Sequence, residues 1–139
     1  MSQSVFADTW YYVAALCETD PFHSAVVAWS RTYHRPVVTT AWVVAEVLNA
    51  MSAPHRRLAA HRTITELYTA EGVTVIPADT RWLTRGLALY GARPDKNWSL
   101  TDCISFEVMA EFGLTDALTG DRHFAQAGFH ALFADDTPT

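Results

Sequence analysis

Short apolar runs separated by helix-length segments constrain the fold of this chain more than any other feature. Four runs of two to four residues recur, and a fifth near the end of the chain resembles an edge strand; they are Ser4–Ala7, Val37–Val38, Val73–Ile76, Ala117–Thr119 and Phe129–Phe133. Strands that are apolar on both faces and alternate with helices are typical of a parallel sheet covered by helices. The sequence therefore predicts an α/β domain with a mainly parallel sheet.

The segments between these runs carry helix start signals. We expect seven helices, which begin near Trp10, Pro21, Ala41, Pro54, Thr80, Leu100 and Arg122. The helix after Ser99 has the clearest start, because Ser99 and Asp102 have the spacing of a capping box. The residues that follow are apolar on nearly every side, which is typical of a buried helix.

Length and charge limit the classes of protein that remain. A chain of 139 residues fits one domain, here 1–139, with a polar tail after about residue 134 that we expect to be loose. The net charge of -5 argues against a protein that coats nucleic acid through a broad basic surface, although a local grip through bound cations stays open. Two distant cysteines, no signal peptide and no apolar run of membrane-spanning length predict a reduced, cytoplasmic protein.

Four acidic residues fall where one edge of the predicted sheet should lie. Asp8 and Asp121 come at the carboxyl ends of two strands, Asp102 in a first helical turn, and Glu46 in the second turn of the helix after the second strand. Chemistry in parallel sheets gathers beyond the carboxyl ends of the strands, so these four side chains can converge. Asp116 precedes its strand and should lie at the opposite edge.

Glu46 is surrounded in sequence by apolar residues, where an ionised carboxylate is costly unless it is compensated. Lys96 and Arg122 are the few nearby cationic candidates, and a divalent cation is the alternative. Carboxylate and water ligands suit Mg²⁺ or Mn²⁺. Zinc is not expected, because no histidine has ligand spacing with a cysteine. We expect His123 to be a surface or half-buried side chain, although contact with substrate stays open.

Four segments in order carry a family likeness: Phe6–Thr9, Thr39–Asn49, Trp98–Asp102 and Leu118–Phe124. With them the chain resembles the PIN domain, and within it the VapC-type toxin ribonucleases. The resemblance implies a three-layer α/β/α fold around a four- to five-stranded parallel sheet. It also implies an acidic quartet of Asp8, Glu46, Asp102 and Asp121 that binds Mg²⁺ or Mn²⁺, with the Thr9 hydroxyl in support.

By the same resemblance the protein is expected to hydrolyse RNA phosphodiester bonds and to leave a 5′-phosphate. Asp8 and Asp102 would be the main metal ligands, with Asp121 close behind, while Glu46 would be a ligand through water or the base that orients the attacking water. Side chains that would steer or bind substrate are Asn49, Arg93, Lys96 and Arg122. For each of these four, an ordinary surface role stays open.

Two other classes of function stay open at this point. A non-catalytic interaction module should have a broken quartet, and all four acids are present. A Mg²⁺-binding phospho-acceptor domain should have a late lysine, and none follows Lys96. The resemblance further implies a homodimer and a cognate antitoxin. Some of the many aromatic residues could serve those interfaces, with core packing as the alternative: Trp10, Tyr11, Tyr12, Trp29 and Trp42.

Overall fold

A five-stranded, wholly parallel sheet forms the centre of the computed structural model, which describes residues 3–134. Its spatial order is β3-β2-β1-β4-β5, so the first strand is central. The strands are β1 (Val5–Ala7), β2 (Val37–Thr40), β3 (Val73–Ile76), β4 (Asp116–Leu118) and β5 (His130–Ala131). Because every strand runs the same way, all carboxyl ends share one edge of the sheet.

Seven helices within residues 3–134 flank the sheet in the three-layer α/β/α arrangement that the family resemblance implies. They are α1 (Thr9–Leu16), α2 (His23–Thr32), α3 (Ala41–Ala50), α4 (Pro54–Leu67), α5 (Thr80–Ala92), α6 (Leu100–Glu111) and α7 (Arg122–Gln126). Helices α1 and α3 begin within two residues of a strand end at the carboxyl edge. Helices α5, α6 and α7 begin at the same edge after longer connections. The predicted fold class is confirmed.

Helix α6 is the most deeply buried helix among the described residues, as its apolar sequence predicts. Ile104 and Met109 are fully covered, and Gly86 of α5 lies directly against Ile104. A side chain at position 86 would collide with α6, so this glycine permits the close approach of the two helices. On the other side of α6, Phe106 packs edge-on against Phe124 of α7. The N-terminal turn of α6 is thereby fixed beside the sheet edge.

Helix α2 begins later than predicted. The sequence places its start at Asp20-Pro21, whereas the structure places it at His23. The Asp20 carboxylate accepts a hydrogen bond from the backbone of Phe22, and the Asp20 carbonyl accepts one from His23. Asp20 therefore closes a turn before the helix instead of capping it, which is a common use of this residue type.

Smaller differences concern element ends and the tail. β4 begins one residue earlier than predicted, at Asp116, and β5 is shorter than the predicted run. The predicted loose tail after Ala134 lies outside the described residues. None of the helices within residues 3–134 is long and apolar enough to cross a membrane.

Candidate metal and active site at the carboxyl edge of the sheet

Asp8 lies at the end of the central strand and is almost completely buried. Its carboxylate accepts a hydrogen bond of 2.9 Å from the hydroxyl of Thr119, which follows β4. The same hydroxyl oxygen accepts a hydrogen bond of 3.0 Å from the backbone of Asp121. Thr119 therefore links the loops after β1 and β4 and brings Asp8 and Asp121 to the same edge.

Burial raises the pKa of the Asp8 carboxyl from its ordinary value of 3.8 to about 7. The hydrogen bond from Thr119 works against this shift, while the negative charges of Asp102 and Asp121 add to it. Like charges that converge in a poorly solvated place disfavour ionisation. The pKa of Asp8 thus shows that the three carboxyl groups influence one another.

Asp102 occupies the third position of α6, where the predicted capping box is present. Its Oδ2 accepts a hydrogen bond of 3.1 Å from the Ser99 backbone, and the Ser99 hydroxyl accepts one of 3.0 Å from the Asp102 backbone. This reciprocal pair fixes the orientation of the carboxylate toward the sheet edge. Burial raises the pKa of Asp102, although its hydrogen bonds with His123 and Ser99 oppose the shift.

Asp121 caps the short helix α7 and lies beside Asp102. Its Oδ1 accepts a hydrogen bond of 2.9 Å from the backbone of His123. The His123 ring turns back toward both acids, with Nδ1 at 2.9 Å from Asp102 Oδ2 and 3.4 Å from Asp121 Oδ1. One ligand atom from each of the three residues lies within 4.8 Å of the others, which is a grouping that could hold a metal ion.

Glu46 is half-buried on α3 and does not point into bulk solvent. Its Oε1 accepts a hydrogen bond of 2.5 Å from the hydroxyl of Thr9, the residue next to Asp8. Thr9 therefore ties Glu46 to the segment that carries the first acid, as a supporting hydroxyl should. Glu46 does not belong to the closer grouping of Asp102, Asp121 and His123.

The predicted substrate-binding residues lie at the protein surface around the acids. Asn49 and Arg122 are exposed. Arg93 and Lys96 line a surface cavity of about 860 Å³ that reaches Ser99, but Arg93 is already paired through two nitrogens with Asp95. Within residues 3–134, none of the four acids of the quartet forms an ion pair with lysine or arginine. Of the two alternatives left open for compensating the acids, pairing with Lys96 or Arg122 is not seen in this part of the chain.

Two sets of contacts at this edge, those of the His123 ring and of the Thr119 hydroxyl, were not predicted from the sequence. The expectation that His123 is a surface or half-buried side chain is confirmed, and its ring also contacts two of the acids, which was not predicted. The spacing Asp121-Arg122-His123 was a signal for it. Thr119 was assigned to the end of a strand, and its hydroxyl bridge between Asp8 and Asp121 has no local sequence pattern.

The family model of the PIN domain matches residues 5–130 of the chain. The chain belongs to the PIN domain family. That match covers β1 to β4, the first residue of β5, and the four segments on which the resemblance was based. A comparison with curated proteins gave no match.

Two solved structures share the PIN fold with this chain. VapC20 of Mycobacterium tuberculosis, described as a toxin that cleaves the sarcin-ricin loop, has a TM-score of 0.82 and 21% identity over 90% of this chain and 95% of its own. FitAcB of Neisseria gonorrhoeae has a TM-score of 0.69 and 18% identity over 91% of this chain and 95% of its own. At these identities the likeness shows the fold.

The donor set at the edge of this PIN domain fits a divalent cation. Carboxylate oxygens are the ligands that hard divalent ions prefer, and three acids here influence one another without a lysine or arginine partner in the described part of the chain. Burial is the main cause of the raised pKa of Asp8, and a cation would offset both that burial cost and the smaller repulsion from Asp102 and Asp121.

The aromatic residues considered for interfaces belong to the interior. Tyr11 and Tyr12 are buried, and Trp10, Trp29 and Trp42 pack against the core. Core packing is therefore the better account of all five. Large apolar side chains that are exposed are different ones: Tyr33, Leu58, Tyr68, Leu87, Tyr90 and Phe112.

Proposed function

We propose that this PIN domain is a metal-dependent endoribonuclease of the VapC toxin type. The observation that carries the proposal is the convergence of Asp8, Asp102 and Asp121 at one sheet edge, with no lysine or arginine paired to them within residues 3–134. Acids gathered in this way repel one another unless a cation joins them. In the PIN fold such a cation serves phosphodiester hydrolysis.

Asp8, Asp102 and Asp121 would hold one or two divalent ions. Such an ion lowers the pKa of a bound water and offsets the charge that develops on the scissile phosphate. The Ser99–Asp102 capping box and the Thr119 bridge orient two of the carboxylates before the ion binds. Because these carboxylates are already held in place, they lose less conformational entropy when the ion binds.

Glu46 takes the role of orienting the attacking water in this proposal. Its carboxylate is held by Thr9 and stands outside the closer grouping of acids, which favours contact with a water over direct ligation. Lys96 lines the cavity that reaches Ser99 and would meet the RNA backbone there. Arg122 and Asn49, which are exposed, would contact more distant nucleotides.

The substrate in this proposal is single-stranded or looped RNA. VapC20, which shares the fold, is described as cleaving the sarcin-ricin loop, and a looped RNA is the corresponding substrate class here. A homodimer and a cognate antitoxin remain predictions from the family likeness. Light scattering of the purified chain tests for the homodimer. The same measurement after co-expression with proteins encoded beside it tests for the antitoxin.

The direct test is cleavage of end-labelled linear and hairpin RNAs by the purified protein. We expect cleavage with Mg²⁺ or Mn²⁺, none with EDTA, and products that carry a 5′-phosphate. Recovery after the ion is added back separates metal dependence from denaturation. Cleavage that persists in EDTA, or the absence of cleavage of any RNA in the panel with either ion, would contradict the proposal.

A further inference from the structure

We propose that His123 is a protein ligand of the divalent ion and makes the site prefer a first-row transition ion to Mg²⁺. This inference rests on the proposed metal site and extends it to the identity of the ion. The geometry that supports it is the position of one ring nitrogen beside two carboxylates. Nδ1 lies 2.9 Å from Asp102 Oδ2 and 3.4 Å from Asp121 Oδ1.

Hydrogen bonds on both sides of the contact between His123 and Asp102 fix the ring in this position. Its backbone N–H donates to Asp121 Oδ1, which sets the start of α7 against the acid. Asp102 Oδ2, the carboxylate oxygen nearest the ring, is itself held by the Ser99 backbone. The ligand atoms of the three residues thus lie within 4.8 Å of one another through contacts made without any ion.

A second His–Asp pair in the molecule differs from the His123 pair in its charged partner and in its exposure, and the comparison shows that the His123 arrangement is more than a surface ion pair. At the other edge of the sheet, His130 lies 3.2 Å from Asp116, but that acid is already paired with Arg35 at 2.9 Å. The His130 side chain is 67% exposed, compared with 28% for His123. Among the described residues, the acids that His123 faces have no arginine or lysine partner, and the ring lies in a partly enclosed place that an ion can still reach.

The nitrogen ligand decides the preferred class of metal. Mg²⁺ prefers oxygen ligands and retains several waters, whereas imidazole is a common ligand of transition ions. A site of two carboxylates and one imidazole should therefore bind a transition ion more tightly than two carboxylates alone would. The imidazole should add little to the affinity of the site for Mg²⁺. Mn²⁺ is the suitable probe, because it is a paramagnetic first-row transition ion that accepts a nitrogen ligand more readily than Mg²⁺ does.

The test is electron spin-echo envelope modulation of Mn²⁺ bound to the metal-free protein, together with calorimetric titration of Mn²⁺ and Mg²⁺. We expect nitrogen-14 modulation from a ligated imidazole in the wild type and its loss in His123→Asn. Affinity for Mn²⁺ should fall by roughly 10-fold or more in that variant, and affinity for Mg²⁺ by less than about 3-fold. His130→Asn is the matched control and should change neither signal nor affinity.

Three results would overturn the inference. Bound Mn²⁺ without nitrogen modulation in the wild type would show that His123 is not a ligand, while the proposed function would stand. Equal losses of Mn²⁺ and Mg²⁺ affinity in His123→Asn would remove the preference. Binding of neither ion would contradict this inference and the proposed function together. The wild-type spectrum decides the ligand question even if the variant does not fold, and His123→Gln provides a second substitution.

Discussion

The two edges of the parallel sheet use the same residue types in opposite ways. At the amino edge, Arg35 and His130 both contact Asp116, and the Arg35 Nε also donates to the Gln3 carbonyl. At the carboxyl edge, the ring of His123 contacts both Asp102 and Asp121. The first edge pairs its acid with the Arg35 guanidinium, whereas the acids of the second edge have no lysine or arginine partner within residues 3–134 and would be compensated by the divalent cation that we propose.

The amino edge is therefore a built-in control for the carboxyl edge. An acid-to-amide substitution removes one negative charge at either edge, yet the consequences should differ in kind. At the carboxyl edge the loss should affect activity and metal binding. At the amino edge it should affect only stability. The four predictions below are ordered by expected size.

The largest effect is expected on RNA cleavage. Asp102→Asn should reduce the cleavage rate by about 1000-fold or more, because a ligand carboxylate supports several kcal/mol of charge stabilisation in the transition state. Asp116→Asn should cleave at nearly the wild-type rate. Initial rates on one labelled RNA under identical Mn²⁺ concentrations give the comparison. Similar losses in both variants would remove the distinction between the edges.

The second effect concerns stabilisation by metal. An ion at 100 times its Kd should stabilise the fold by about 2.7 kcal/mol, because it binds the native state only. Thermal unfolding with Mn²⁺ and with EDTA measures the change. We expect the increase in Tm to persist in Asp116→Asn and to be mostly lost in Asp8→Asn. An increase that survives in Asp8→Asn would place the ion elsewhere.

The third effect is a pH dependence of stability without metal. The raised pKa of Asp8 means that the native state binds this proton more tightly than the unfolded state, so its contribution to stability is complete below about pH 4 and is lost as pH rises to about 7. Asp8→Asn cannot lose this proton. In EDTA it should gain roughly 1–3 kcal/mol over the wild type between pH 5 and pH 8.

Urea unfolding of both proteins at the two pH values measures that gain. Asp116→Asn, compared in the same way, controls for general effects of pH on the sheet. A difference between Asp8→Asn and the wild type that is the same at pH 5 and pH 8 would show that Asp8 is ionised in the native state throughout this range.

The smallest effect is expected from the amino edge alone. Asp116→Asn should cost at most about 1 kcal/mol, since the Arg35 pair is partly exposed and such pairs contribute little. Denaturant unfolding at low and high salt should show a smaller cost at high salt, where charges are screened. A loss of several kcal/mol would mean that Asp116 does more than pair with Arg35 and His130.

Local patterns in the sequence were sufficient for the fold and for the positions of the acids. The capping box of Ser99 and Asp102 depends on residues three apart, and it is present as predicted. Strand and helix alternation placed Asp8 at the carboxyl edge and Asp116 at the other, because a parallel sheet fixes which end each residue occupies.

Contacts between distant elements could not be predicted in the same way. The His123 ring reaches Asp102 only because α7 packs beside the start of α6, and a rotamer choice decides the rest. Thr119 joins Asp8 across 111 positions of sequence. Lys96 and Arg122 lie close in sequence to Asp102 and Asp121, yet within residues 3–134 neither forms an ion pair with the four acids.

The most direct test of the account is a crystal structure of the protein soaked with Mn²⁺, with the ion located by its anomalous scattering. The account predicts an anomalous peak bonded to the carboxylates of Asp102 and Asp121 and adjacent to Asp8. A peak at Asp116 and His130 instead, or no peak while the carboxyl edge stays open to solvent, would contradict it.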